Sequence, residues 1–324
     1  MNFAFTEQQE AIRDTIARFA GERLAPRYRQ REQAGCIERE IVYELGQMGC
    51  LGGELPEEFG GGGLDCITTG VIVEEIARGD FNVGYLPLLA SLNGQIIAHH
   101  AQPELAKEWL SGITAGRKIC CIALTEPHGG SDAANLKLKA TRDGDSFLLK
   151  GEKTSISMAD QADVAVVFAR TGTQEQRASG ISAFLVPMES QGVSTSRFED
   201  SGQRAIGRGS IFFDNVRVPQ KNRVGEENDG WTVAKYLLTF ERGGQEYAPG
   251  LNVMLEKIRL MAEKQQTAFG PLTQDPVWQH KFAALEADVL ALEFTEMRIK
   301  SALSAGKDPG ALSSMSKILG TELL

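Results

Sequence analysis

Nothing in the 324 residues reads as a membrane anchor: no run of about eighteen apolar residues occurs, and Met1 is not followed by a basic segment and an apolar stretch. There is also no block of Lys and Arg. With a formal net charge of −9 and its basic residues scattered, the chain offers no positive stripe for phosphates, which argues against nucleic acid as a partner. The five cysteines, Cys36, Cys50, Cys66, Cys120 and Cys121, include no C-x-x-C pair and no histidine at ligand spacing. Neither a disulfide framework nor a zinc site is indicated, and reduced thiols are the simplest account. The four histidines, His99, His100, His128 and His280, do not repeat at metal-ligand spacing. No metal is expected. Trp109, Trp231 and Trp278 fall on helical faces and read as core, and no G-x-G-x-x-G follows a strand, which disfavours a nicotinamide enzyme. The expectation is a soluble, cytoplasmic protein with no membrane partner.

The hydrophobic period changes twice along the chain. Thr6-Glu7-Gln8-Gln9 reads as a capping box, and Ile12, Ile16, Phe19 and Ala20 then share a helical face up to Pro26. The same spacing recurs at Ile41, Leu45 and Met48 and at Val73, Ile76 and Ala77, and Pro103-Glu104 opens another helix that closes near Gly112. Gly60 to Gly63 read as a flexible connector. From Ile119 the period is two: Leu136, Leu138 and Ala140 alternate with polar residues, and Asp143-Gly144 is a hairpin turn into Phe147-Leu148-Leu149. Further strands are predicted over 164–168, 181–186, 193–198 and 211–218. At Gly230-Trp231 the helical period returns, with helices predicted over 231–240, 251–268, 276–303 and 312–324. This gives an α+β multidomain chain: an N-terminal helical bundle over 1–118, a middle β-barrel-like domain over 119–224 and a C-terminal helical bundle over 225–324. The last apolar face, Met315, Ile318, Leu319 and Leu323, runs to Leu324 without a capping residue, so the C-terminal bundle is expected to be truncated or completed by another chain.

The stretch Ala123-Leu124-Thr125-Glu126-Pro127-His128-Gly129-Gly130-Ser131-Asp132 runs from a strand into a Pro/Gly turn whose backbone N–H groups can approach a bound group closely. It is followed in order by Gly151-Glu152-Lys153-Thr154-Ser155-Ile156-Ser157, Phe184-Leu185-Val186-Pro187, Phe213-Asp214-Asn215-Val216-Arg217-Val218-Pro219, Gly225-Glu226 and Phe240-Glu241-Arg242. In that order and at those spacings the segments resemble the acyl-CoA dehydrogenase family, and the resemblance extends over nearly the whole chain.

The resemblance implies an FAD-dependent acyl-CoA dehydrogenase that converts an acyl-CoA thioester to 2-enoyl-CoA and passes electrons to an electron-transfer flavoprotein. Ile122, Ala123, Leu124 and Thr125, with Gly130 and Ser131, are expected to line the flavin, Thr125 near the ring's N5/O4 edge. Ser131 is also expected to touch the CoA pyrophosphate arm. Ser155, Ile156 and Ser157 form the second flavin segment, and Phe269 and Gln279 are further flavin candidates. Leu238, Thr239, Glu241 and Arg242 are the expected substrate contacts. Glu241 matches one of the family's two locations for the base that takes the substrate's α-proton. A carboxylate in a dry pocket is a competent base because burial raises its pKa. Its alternative reading is a helix ion pair with Arg242.

Two departures stand out against this pattern. Ser155 occupies a place where many members carry an aromatic beside the flavin, and the Gly-Glu-Lys-Thr-Ser-Ile-Ser form resembles members acting on alicyclic carboxyl-CoA thioesters. Gln266 stands three residues before Phe269, where an arginine commonly reaches the flavin pyrophosphate of a neighbouring subunit; losing that charge-assisted contact costs about 1.5–3 kcal/mol of flavin affinity. Homo- or heterotetramers are expected, with three readings in play: an active dehydrogenase, a half-site structural subunit of a heteromeric enzyme, or an oxidase or monooxygenase of the same fold.

Overall fold

The computed structural model describes residues 5–244, 247–268, 270–307 and 309–324, and for residues 239–244 the backbone alone. The helices are α1 (Glu7–Phe19), α2 (Tyr28–Ala34), α3 (Arg39–Gln47), α4 (Cys66–Gly79), α5 (Phe81–His100), α6 (Pro103–Thr114), α7 (Gly230–Gly244), α8 (Ala248–Lys264), α9 (Pro276–Ser304) and α10 (Ala311–Leu323). Between α6 and α7 lie β1 (Cys120–Ala123), β2 (Lys139–Asp143), β3 (Ser146–Ser157), β4 (Val164–Arg170), β5 (Ile181–Pro187), β6 (Val193–Arg197), β7 (Arg208–Pro219) and β8 (Arg223–Val224). A short pair, β9 (Gln266–Thr267) with β10 (Gly270–Pro271), follows α8. Among the described residues no helix is long and apolar enough to cross a membrane.

These elements fall into two compact units, Met1–Ala20 with Asp65–Gly79 and Phe240–Leu324, and Gly21–Leu64 with Asp80–Thr239. In the first, the capping box forms as expected: Thr6 Oγ1 accepts from Gln9 N at 3.2 Å and Gln9 Oε1 accepts from Thr6 N at 3.0 Å. Gly79 lets α4 press on the end of α1, since a Cβ there would lie 2.8 Å from the Ala20 carbonyl oxygen. The core between α8 and α9 is built from Ala248, Leu251, Val289 and Leu292. The helix predicted over 251–268 stops earlier. α8 ends at Lys264 because Gln265 turns extended and Gln266 and Thr267 pair with Pro271 and Gly270.

A carboxylate on α9 starts α8. Tyr247, at the head of α8, provides no side-chain cap, and Glu296 Oε1 and Oε2 accept instead from Tyr247 N at 2.8 Å and Ala248 N at 3.3 Å. Burial pushes Glu296 up to about 7, outweighing those two amides and Ser316. A carboxyl whose folded pKa is raised binds protons more readily when folded, so its contribution is complete below the ordinary value and is lost as pH rises through about 7. The unfolding free energy is therefore expected to fall by on the order of 2 kcal/mol from this group between about pH 4.5 and 7. Thermal unfolding of Glu296→Gln and the parent across that window checks it, and parallel curves would remove Glu296 as the source.

The second unit holds an eight-stranded sheet in the order β6-β7-β3-β2-β4-β5-β8, with β1 parallel to β4. The β2–β3 hairpin turns at Gly144, whose φ of 61° suits glycine, and pairs Asp143 with Ser146. β4 and β5 are buried almost throughout, and Phe147 and Phe184 pack at 5.0 Å between ring centroids in the centre of the layer. Two register shifts bend β3 against β7, one between Leu149 and Gly151 and one between Lys153 and Ile156. Cys120 and Cys121 are both buried, and no disulfide forms among the described residues.

The glycines at 60–63 correct the reading of that segment as a flexible connector. Gly62 N and Gly63 N donate to Gly53 O and Leu55 O at 2.9 and 3.0 Å, and a Cβ on Gly61 would lie 2.0 Å from Leu55 O. The run is a fixed turn that needs glycine for close backbone approach.

Candidate active site

β1 delivers Ile122 to Thr125 to one edge of the sheet, and the second β3 bulge delivers Ser155 to Ser157 beside it. The two segments are joined directly, Thr154 N donating to Thr125 O at 2.9 Å. Ile122, Leu124, Thr125 and Ser157 are half-buried and Ser155 is exposed, whereas Ala123 and Ile156 turn inward at 0 % and 2 % exposure. The last two side chains belong to the β core, so any contribution they make to a ligand is through the backbone. Ser155 sits at φ 56°, a left-handed conformation that costs a non-glycine residue about 1 kcal/mol or more.

This edge offers polar groups that the protein itself leaves over. Among the described residues no hydrogen bond engages the side-chain hydroxyls of Thr125, Ser131, Ser155 or Ser157. Gly130 and Ser131 are exposed on the turn that follows. A Cβ on Gly129 would come no nearer than 3.8 Å to Asp132 O, and one on Gly130 would meet Thr125 Cγ2 at an ordinary 3.5 Å. The fold has no need of glycine at either position, which fits a group approaching from outside. These features leave hydrogen-bonding groups at this edge open to a ligand.

Beneath the edge lies an ion pair that the sequence analysis did not single out. Glu126, 4 % exposed, accepts from Lys137 N at 2.6 Å, Leu138 N at 2.9 Å and Lys153 Nζ at 2.8 Å. Lys153, with no exposed surface, also donates to Leu124 O at 2.9 Å. Burial alone would raise Glu126, but the Lys153 charge and these donors hold it below the usual carboxylate range. Burial pulls Lys153 down to about 8 against the attraction of Glu126. The signal was present in the sequence: alternation from Phe147 and Leu149 lands on Lys153, an inward place where a lysine requires a partner.

The remaining candidates lie apart in the chain. Leu238 is half-buried on α7, next to the buried Leu237. Residue 241 is helical within α7, and the side chains of Thr239, Glu241 and Arg242 lie outside the described residues, as does Phe269. Gln279 is exposed on α9 and donates to Thr273 O at 2.9 Å. Gln266 is exposed on β9. Among the described residues no group of three or more His, Cys, Asp or Glu side chains could hold a metal ion.

Comparison with known proteins agrees along the whole chain. The acyl-CoA dehydrogenase N-terminal, middle and C-terminal domain models match residues 6–117, 121–216 and 228–324. The short-chain specific acyl-CoA dehydrogenase of Rattus norvegicus mitochondria is 32 % identical over 326 residues, covering 98 % of this chain and 77 % of the relative. The subunit CarC of the caffeyl-CoA reductase-Etf complex of Acetobacterium woodii is 32 % identical, covering 98 % and 85 %. The crystal structure of an acyl-CoA dehydrogenase from Geobacillus kaustophilus superposes with a TM-score of 0.93 at 26 % identity, covering 100 % and 86 %. The matched domains, in helical, β-sheet and helical succession, are those of a family of flavoprotein oxidoreductases. The chain belongs to the acyl-CoA dehydrogenase family.

Proposed function

We propose that this chain is an FAD-dependent acyl-CoA dehydrogenase that removes two hydrogens across Cα–Cβ of an acyl-CoA thioester and passes the electrons to an electron-transfer flavoprotein. The observation that carries the reading is the joined pair of segments 122–125 and 155–157, whose side-chain hydroxyls make no hydrogen bond among the described residues, at the place where the family resemblance puts the flavin. Thr125 and Ser157 would hydrogen-bond the flavin ring, Gly130 and Ser131 would receive its phosphate-bearing arm through backbone and hydroxyl donors, and Ser131 would also meet the CoA pyrophosphate. FAD, when bound, supplies the acceptor for the hydride leaving Cβ. Glu241 takes the α-proton, and Leu238 and Thr239 shape the acyl site on the same helix, with Arg242 at the CoA arm. The Etf complex named for the Acetobacterium woodii relative supports the electron acceptor. The domain division at 118/119 and 224/225 goes with this reading.

Anaerobic addition of an acyl-CoA to the flavin-loaded protein is expected to bleach the visible flavin band, with 2-enoyl-CoA formed in equal amount. A flavin-loaded sample that stays oxidised with straight-chain, branched and alicyclic acyl-CoA thioesters would end the proposal.

Gln266 favours a second reading, in which this chain is the structural partner in a heterotetramer. A neutral amide replaces the arginine expected to reach a neighbouring subunit's flavin, so a homotetramer would lack that contact at every site. Purification as a colourless protein that gains flavin only when a homologous chain is added would favour the heteromer over the homomer.

A further inference from the structure

We infer that Glu126 and Lys153 are a positioning pair, which fixes the flavin-facing edge in its binding geometry before any flavin arrives. The inference rests on the flavin reading of that edge and adds to it two buried residues beneath it. Glu126 stands at the start of the 126–138 loop and binds the amides of Lys137 and Leu138 at its end, so one carboxylate closes the loop on itself. Lys153 then ties this closed loop to both segments. Its Nζ bonds Glu126 and the Leu124 carbonyl, and the next residue, Thr154, donates its amide to Thr125 O. Two residues beyond Lys153 the strand bulges and Ser155 takes its left-handed turn.

The rest of the loop is held in the same manner. The Arg170 guanidinium, 5 % exposed, binds Leu136 O at 2.9 Å and Ala134 O at 3.0 Å from the loop, and Thr173 O at 3.1 Å and Arg177 O at 2.8 Å behind it. Arg177 reaches Asp132 Oδ1 at 2.6 Å. Gly129, Gly130 and Ser131 are therefore carried between anchored points, and the ligand-facing groups need little ordering when a ligand binds. Preorganisation of this kind raises affinity by the fraction of molecules already in the competent geometry. A hydrophobic pair would fill the space beneath the edge, but it would leave the Lys137 and Leu138 amides and the Leu124 carbonyl without partners.

The test is FAD affinity, measured by fluorescence titration of apoprotein for the parent, Glu126→Gln, Lys153→Met and the double variant. Each single variant, at a temperature where circular dichroism shows it folded, is expected to raise the FAD dissociation constant about tenfold or more, with the double variant no worse than the poorer single. Folded variants that bind FAD as tightly as the parent would overturn the inference. A second measurement needs no variant. In the parent apoprotein the amide hydrogens of Lys137 and Leu138 are expected to exchange as slowly as those of β3, and free exchange that slows only on adding FAD would overturn preorganisation. A parent that binds no FAD removes the flavin reading itself, and the exchange measurement still decides whether the pair holds the loop.

Discussion

Glu241→Gln is expected to lower turnover of an acyl-CoA substrate about 10²–10⁴-fold, the usual contribution of a general base, while leaving the FAD dissociation constant where it is in the parent. Glutamine keeps the size and hydrogen-bonding reach of the side chain but cannot take a proton. The α-proton of a thioester is a weak acid, so its removal cannot be left to water at the same rate. Position 241 continues the i, i+4 series of Val233 and Leu237 along α7, both 1 % exposed, and glycine follows at 243 and 244. A loss confined to kcat with KM unchanged would mark an interaction made in the transition state. Bleaching of the flavin band by substrate should be lost in the same proportion, and Glu241→Asp should recover part of it. Turnover equal to the parent's would take Glu241 out of this role and leave it as the ion-pair partner of Arg242.

How much of this could be read from the chain depended on whether an element had two unlike faces. α1 and the β2–β3 hairpin alternate apolar and polar residues at their own period, and each formed where that period placed it. α5 went unread because it is apolar nearly all round. Its buried residues run from Asn82 to Ile97 with Pro87 inside, a pattern without a stripe for sequence reasoning to find. The glycine run at 60–63 was misread for a related reason: composition cannot distinguish a chain that is free from one pressed against the Leu55 carbonyl. At the candidate site, the family motif singled out the segments of Thr125 and Ser157, and the fold joins them through Thr154 N and Thr125 O. The Glu126–Lys153 pair was visible only as a lysine in an inward place, and its partner twenty-seven residues upstream required the fold.

Arg31→Met is expected to cost about 3–5 kcal/mol of stability, the range for removing one partner of a buried ion pair. Arg31 is 1 % exposed on α2, and its guanidinium bonds Asp80 Oδ2 at 2.8 Å, Glu38 Oε2 at 2.7 Å and the Leu24 carbonyl at 2.8 Å. Asp80 is the cap of α5, its Oδ1 accepting from Asn82 N at 3.0 Å and Val83 N at 3.4 Å. Burial already pushes the Asp80 carboxyl above its ordinary value despite Arg31 and the capping donors. Without the guanidinium the carboxylate would be left in a dry site with only its bonds to the start of α5, and the Asn82 Nδ2 bond to Glu32 Oε1 at 2.8 Å would be left to tie α5 to α2. Methionine fills the stem's volume, so the cost is that of the charge and the hydrogen bonds rather than of a cavity. Chemical denaturation of Arg31→Met, Asp80→Asn and the double variant separates the two parts. The double should lie well above the sum of the singles in stability, because it removes the stranded charge while the new amide oxygen still accepts from the α5 backbone. A loss below about 1 kcal/mol in Arg31→Met would place this pair with solvent-screened surface bridges and leave α5 to be held by its apolar contacts and by the bonds of Asn82 to Glu32 and Asn93 to Cys120 O.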